Sequence, residues 1–293
     1  MTSMLLGLAL AFFPPADAKE PAAESKAEAK ESEQDKAQDR AEAAEAAEFA
    51  RDEAGHWQLT TNGENRKKLD LHSKPVLRWS NPAVGRVYGS VFVWTSGGRP
   101  VAAASFYRFY VPYVQRTAEF VALAPEGLSA EREGRKLWTP SAGQVKFQKL
   151  DDAPAPAASA NQRLVQMRRL AREFAPELVD RRVVNEGTQQ QLRLMDQPVY
   201  QYGAGADGLL DGGLFAFVVG TDPEVLLLLE CRESAEGRSW HYALARMNRD
   251  AMRVRFRDRE VWSVPYLETP WDDPKSDYFI VEVGKLDQKA AAP

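Results

Sequence analysis

Two stretches of the chain are apolar at nearly every position. In the first, Val87, Val91 and Val93 alternate with Tyr88, Phe92 and Trp94; in the second, Leu214, Ala216 and Val218 alternate with Phe215, Phe217 and Val219. An antiparallel strand with one wet face reads apolar-polar, so strands apolar on both faces must be covered on both sides. Around the first stretch the pattern predicts strands at Val76–Trp79, Arg86–Thr95, Val101–Tyr110, Arg116–Ala124 and Ala130–Trp138. Around the second it predicts Gln191–Leu194, Val199–Tyr202, Leu214–Val219, Glu224–Arg232, Ser239–Met247, Met252–Asp258 and Val261–Val264. The turns between them, such as Ser96-Gly97-Gly98, Pro125-Glu126-Gly127 and Glu236-Gly237, are too short for crossovers. Neighbouring strands are therefore expected to be antiparallel. A helix is legible from Asn161 to Phe174. Leu164, Met167, Leu170, Ala171 and Phe174 fall at helical spacing, with Arg163, Arg168, Arg169 and Arg172 on the other side. Ser159 is placed to cap it and Pro176 to stop it.

The two strand series run in parallel along the sequence. At an offset of 123, Leu69, Leu71, Pro75 and Val76 fall on Leu192, Leu194, Pro198 and Val199, and Phe92 and Pro100 fall on Phe215 and Pro223. Ala122-Leu123-Ala124 matches Ala243-Leu244-Ala245 at 121, Trp138 matches Trp262 at 124, and Glu48-Phe49-Ala50 matches Glu173-Phe174-Ala175 at 125. The ordering of these blocks at nearly one offset points to a repeat, with small indels in loops. The expected fold is α+β: a tandem duplication of a helix plus antiparallel β-meander unit. In it the helix covers one face of each sheet, the other copy covers the second face, and the two units pack as a pseudo-dimer.

Composition divides the chain further. Residues 1–18 read as a signal peptide: an apolar run from Met4 to Phe13, Pro14-Pro15, then Ala16-Asp17-Ala18 as a cleavage site. No Lys or Arg precedes Leu5, a departure from the usual leader. The chain is expected to be exported, periplasmic or extracellular after cleavage near Ala18, with no transmembrane segment in the mature chain. Residues 19–47 form an acidic Ala/Glu/Lys-rich arm, disordered or loosely helical, serving as a spacer or as a partner-binding element. The first repeat occupies 48–150, an Ala/Pro linker 151–158, the second repeat 159–267 and a C-terminal tail 268–293. The formal charge of −4 conceals −1 over residues 1–18, −6 over residues 19–55 and +3 over residues 56–293. No concentrated basic face emerges, and no nucleic-acid role is expected.

Candidate chemistry is sparse. One cysteine and three scattered histidines exclude an internal disulfide and a Cys/His zinc framework. Cys231, in a strand-like run, reads as a small buried hydrophobe. Gly203-Ala204-Gly205-Ala206-Asp207-Gly208 lacks the Lys and the following helix of a phosphate loop, and Asp207 and Asp211 lack calcium-loop spacing; a plain turn is the reading. His241 reads as a structural histidine. No metal or cofactor is implied, and no catalytic residue can be named. Paired carboxylates drawn from distant positions stay open, as in glycosidases.

Divergence between the repeats supplies the remaining candidates. Where the second has Val225-Leu226-Leu227-Leu228-Leu229, the first has Ala102-Ala103-Ala104-Ser105-Phe106. Small residues there mean either close packing or a ligand pocket flanked by Trp94, Phe106 and Tyr110, the candidate ligand-binding residues. The last hairpins differ in charge: Arg253, Arg255 and Arg257 in the second, Glu131 and Glu133 in the first. They are expected to meet and pair across the pseudo-dimer.

The segment from Asp211 to Glu224, with Gln166-Met167-Arg168 and Ala245-Arg246-Met247, resembles a group of uncharacterised bacterial exported proteins with no assigned activity. The resemblance implies an envelope protein and brings no catalytic residues. The expected function is a non-catalytic module of the cell envelope that binds an unknown ligand or envelope protein. A hydrolase with dispersed carboxylates and a structural envelope component are the alternatives.

Overall fold

The computed structural model describes residues 21–62, 66–180 and 188–290; the expected signal peptide lies outside the described residues. The chain divides into two units, Met1–Ala41 and Glu42–Pro293. The first helix, α1 (Pro21–Gly55), is rich in the strong helix formers Ala, Glu and Lys. Residues 32–41 are exposed on every side. In the second unit the helix changes character. Ala46, Ala50 and Ala54 recur every four residues and are buried, a stripe small enough for close approach to a sheet. Buried Glu53 anchors this end, accepting from Arg132 Nε at 2.7 Å and from Trp57 Nε1 at 2.8 Å.

After α1 come β1 (Trp57–Thr61), β2 (Asp70–Leu71), β3 (Leu77–Ser80), β4 (Arg86–Ser96), β5 (Arg99–Val111), β6 (Gln115–Ala122), β7 (Leu128–Arg132), β8 (Arg135–Trp138) and β9 (Gln148–Lys149). Then follow α2 (Ala160–Ala171), β10 (Phe174–Asp180), β11 (Thr188–Gln191), β12 (Arg193–Leu194), β13 (Tyr200–Tyr202), β14 (Leu209–Val219), β15 (Asp222–Ser234), β16 (Gly237–Arg246), β17 (Ala251–Phe256) and β18 (Arg259–Val264). The chain closes with β19 (Tyr278–Glu282) and α3 (Val283–Ala290). The fold is α+β, and its strand pairs are antiparallel.

Two six-stranded sheets form the centre. One has the order β19-β6-β5-β4-β2 with β3 also on β4; the other has β12-β14-β15-β16-β9 with β13 also on β14. A three-stranded sheet, β1-β7-β8, and a four-stranded sheet, β11-β10-β17-β18, complete the set. Val91 and Val93 share one core with Leu214, Ala216, Leu226 and Leu228, so the six-stranded sheets pack face to face. The other face of the first sheet lies against Ala50, Ala54 and Trp57. The other face of the second, with Phe215, Phe217, Leu227 and Leu229, lies against Met167, Leu170, Phe174 and Val254. This layering is why the central strands are apolar on both faces.

Several details differ from expectation. Helix α2 ends at Ala171, because the Glu173 amide turns back to the Leu170 carbonyl at 3.0 Å. Phe174, although on the helical period, opens β10 opposite Phe256. The stretch 130–138, expected as one strand, is a hairpin turning at Glu133 and Gly134, whose φ values of +52° and +79° are left-handed. Residues expected as a tail supply β19, which pairs along β6 from Tyr278↔Val121 to Glu282↔Thr117. Beyond the first strand series, β9 pairs with β16 in the second sheet. One edge of each central sheet is thus completed by a strand from the far part of the chain, which satisfies backbone groups that β6 and β16 would otherwise expose. The linker is strapped down by Arg163, which donates to the Ala157 carbonyl at 3.1 Å, and by Trp240 Nε1, 3.0 Å from the Pro154 carbonyl.

Candidate functional site

Among the described residues, Trp94 and Phe106 line neither of the clefts between the central sheets. Both are buried, within an aromatic cluster with Phe92, Phe120, Trp57 and Trp138 on the helix-covered face of the first sheet. Ala102 and Ala104 share that face and are fully buried, so their small side chains make room for these rings. Tyr110 donates from its hydroxyl to the Glu42 carbonyl at 2.9 Å and to Glu45, tying the helix to β5. Burial pushes its phenol up, the Glu45 hydrogen bond adding to the effect.

A cavity of about 470 Å³ opens instead at one end of the face between the two central sheets. Its walls are aromatic: Tyr107 and Phe109 from β5, Tyr278 from β19, and Tyr113, Tyr266 and Trp271 from loops. Tyr113 and Trp271 are 51% and 50% exposed and form the rim. Its polar groups include four carboxyls: Glu119 from β6, Asp222 and Glu224 from β15, and Asp250 from the loop after β16. The volume is that of a small-molecule site.

The strands explain why these groups meet. Glu119 pairs with Ser105 and Ile280, and its side chain lies on the face turned toward the second sheet. It is 9% exposed, and it accepts a hydrogen bond at Oε1 from the Tyr278 hydroxyl. Among the described residues no other group reaches it, and it forms no ion pair. Burial raises its pKa to about 8; the Tyr278 bond works against that shift and nearby Asp222 adds to it. The carboxyl is thus held largely protonated at neutral pH. Burial also pushes the phenols of Tyr107 and Tyr278 well up. Asp222 is steadied by Asn81 Nδ2 at 3.0 Å, and Asn248 donates to Glu224. Arg249 donates to the Tyr266 hydroxyl and to the Glu268 carbonyl at 2.7 Å, with its guanidinium over the Trp271 ring at 5.2 Å.

The opposite end of the same inter-sheet face has a corresponding position. Register pairs locate it: Gly89↔Tyr107 and Phe92↔Ala104 in the first sheet, Gly212↔Glu230 and Phe215↔Leu227 in the second. Trp79 covers Gly89 and Tyr202 covers Gly212 so closely that an added Cβ would sit 2.3 Å and 2.4 Å from their rings. Only glycine allows that approach. Here Glu230, with no side-chain exposure, is held by Arg99 Nε at 2.7 Å, Arg232 Nη2 at 2.6 Å and the Tyr202 hydroxyl at 3.1 Å. Both guanidinium groups pack on Phe147, with centroid distances of 4.6 and 4.8 Å. The space left is about 140 Å³. At the sequence offset of 123, Arg99 falls on Asp222 and Phe109 falls on Arg232.

The charged hairpins do not meet each other. Arg253 and Arg255 pair with Glu177 at 2.6 and 2.7 Å, and Arg257 pairs with Glu173 at 2.6 Å. Glu131 pairs with Arg66. Each hairpin forms a sheet with the strand that follows its own helix, and that strand lies beside its charges. Cys231 is buried and its thiol is pushed up to about 11, so it is not a thiolate nucleophile. His241 is bonded through Nε2 to Ser239 Oγ at 3.1 Å, and burial lowers its pKa. Among the described residues no group of three His, Cys, Asp or Glu side chains converges as a metal site requires, and no helix is long and apolar enough to cross a membrane.

Sequence reasoning missed Glu119, Asp222 and Glu224. The available signal was a lone acid inside an apolar strand, as at Glu119 between Ala118 and Phe120. The chain matches no protein family, no characterised protein and no solved structure.

Proposed function

We propose that the chain is an exported ligand-binding module of the bacterial cell envelope, and that its ligand occupies the cleft lined by Tyr107, Glu119 and Trp271. The observation that carries this reading is the contrast between the two ends of the inter-sheet face. One is filled by the protein's own arginines; the other keeps a cavity of about 470 Å³ with exposed aromatic rims. Interiors seldom keep such space without use for it. The module arose by tandem duplication, and its two copies pack as a pseudo-dimer. Support comes from the constant offset of 123 in the register pairs, with Trp94↔Ala102 beside Phe217↔Val225 and Thr95↔Pro100 beside Val218↔Pro223. Export rests on the leader pattern at 1–18 and the resemblance carried by 211–224.

The test is a titration of the mature chain with a panel of small metabolites and glycans, followed by NMR of the aromatic signals. Binding that perturbs Tyr107 and Trp271, and that is weakened by Trp271→Ala, is expected. Perturbations confined to other surfaces would remove the cleft from the account.

A hydrolase is the second reading, favoured by one observation: a carboxyl held protonated beside Asp222, the arrangement from which an acid and a base can be drawn. Turnover of glycoside, ester or peptide substrates that disappears in Glu119→Gln would establish it and displace the binding reading.

A further inference from the structure

We propose that the cleft takes a small organic cation, an alkylguanidinium or alkylammonium group seated between the Glu119 carboxyl and the rings of Tyr107 and Phe109. The inference rests on the reading of the cleft as a ligand site and names the chemistry of its occupant.

The protein carries the template at its other end. There a buried carboxylate, Glu230, is satisfied by two guanidinium groups that also lie on an aromatic ring, Phe147. Such an arrangement combines charge-assisted hydrogen bonds with cation–π attraction in a desolvated setting. In the cleft the corresponding strand positions hold Asp222 in place of Arg99 and Phe109 in place of Arg232. The aromatic surface is larger and the arginines are gone, but a buried carboxyl remains. It stands one strand away, on β6, rather than at the Glu230 position, which Tyr107 occupies.

Three features point to a cation. Glu119 is nine-tenths buried and lines the cavity, yet only Oε1 is engaged, by Tyr278; among the described residues Oε2 has no partner. Second, the lining carries four carboxyl groups against one guanidinium, Arg249, which gives Nη2 to Tyr266 and Glu268 and lies over the Trp271 ring, its Nε being without a hydrogen-bond partner among the described residues. Third, the walls are π-faces, which attract cations and also accept apolar stems. The groups facing Glu119 are Tyr278 from β19, Tyr107 from β5 and Asp222 from β15; Arg246 from β16 lies beyond, over the Tyr278 ring at 5.6 Å. Arg246 is turned to backbone carbonyls of Asn248, Asp250 and Pro265. A ligand cation would supply the counter-charge that lets Glu119 ionise.

The test is calorimetric titration of the mature chain with butylguanidinium, butylammonium, the uncharged isostere butylurea and a neutral oligosaccharide. Both cations are expected to bind about tenfold or more tighter than butylurea. Their affinity should rise between about pH 6 and about pH 9 as the Glu119 proton is released. Glu119→Gln should remove that rise and weaken both cations. Phe109→Arg, which writes the internal arginine into the cleft, should abolish cation binding while leaving the fold unchanged by circular dichroism. Butylurea binding as tightly as butylguanidinium, or cation binding indifferent to both Glu119→Gln and Phe109→Arg, overturns the proposal. An oligosaccharide bound in the cleft with the cations excluded overturns the cation and keeps the cleft. Absence of any perturbation at Tyr107 or Trp271 by all four probes overturns both.

Discussion

At one end of the inter-sheet face Glu230 lies between two guanidinium groups; at the other Glu119 lies under a phenol. Both are carboxyls removed from water on the inner face of a central sheet, and a charge so placed must be paired or neutralised. The first end pairs it, with Arg99, Arg232 and Tyr202 occupying the space. The second neutralises it by retaining a proton. Pairing fills an interior with long side chains; protonation leaves room. The open cavity lies at the protonated end and the filled space at the paired one.

Four experiments would break or sharpen that contrast. The largest effect is expected from Arg99→Ala with Arg232→Ala, which leaves Glu230 buried and unpaired at a cost of about 3–5 kcal/mol in urea unfolding. Adding Glu230→Gln should recover much of it. If the double variant is as stable as the parent, the arginines do not hold the filled end.

Next in size is the pH dependence set by Glu119. Its folded pKa lies above its unfolded one, so the native chain binds the extra proton between about pH 4.5 and about pH 8. Stability therefore falls as pH rises through that window, by a few kcal/mol at roughly 1.4 kcal/mol per unit of difference, and levels off above it. Glu119→Gln should flatten this slope and stabilise the chain at the alkaline end. A parent curve with no decline there would contradict the protonated carboxyl.

Gly89→Ala and Gly212→Ala probe what the two ends share. Each Cβ would run into the ring above it, Trp79 or Tyr202. Similar losses of about 1–3 kcal/mol are expected. Unequal losses would show that the ends differ in packing as well as in charge. The smallest effects are expected from the outer hairpins. Arg255→Ala and Glu131→Ala should each cost less than about 1 kcal/mol and add within roughly 0.5 kcal/mol, because their partners Glu177 and Arg66 are not shared. A coupling energy would reinstate a contact between the hairpins.

Much of the architecture was legible because it depends on local periodicity. Strands apolar on both faces announced buried sheets, Ser159 announced the start of α2, and short turns announced antiparallel pairing. The candidate site was not. In the sequence Trp94 and Phe106 stand out as aromatics beside a run of alanines; in the fold the rings and Ala102 and Ala104 are buried on one face of the sheet. Strand β19 was hidden in an apparent tail, since Tyr278–Glu282 alone says nothing of the distant edge it completes.

By itself the sequence determined the strands, their two-faced burial and the repeated order of apolar blocks, because each is set by the alternation of neighbouring side chains. Which carboxyl is paired and which is protonated was decided only in the tertiary structure. That choice depends on whether strands far apart in the chain bring a guanidinium or a phenol to the same buried point, and on water being absent there.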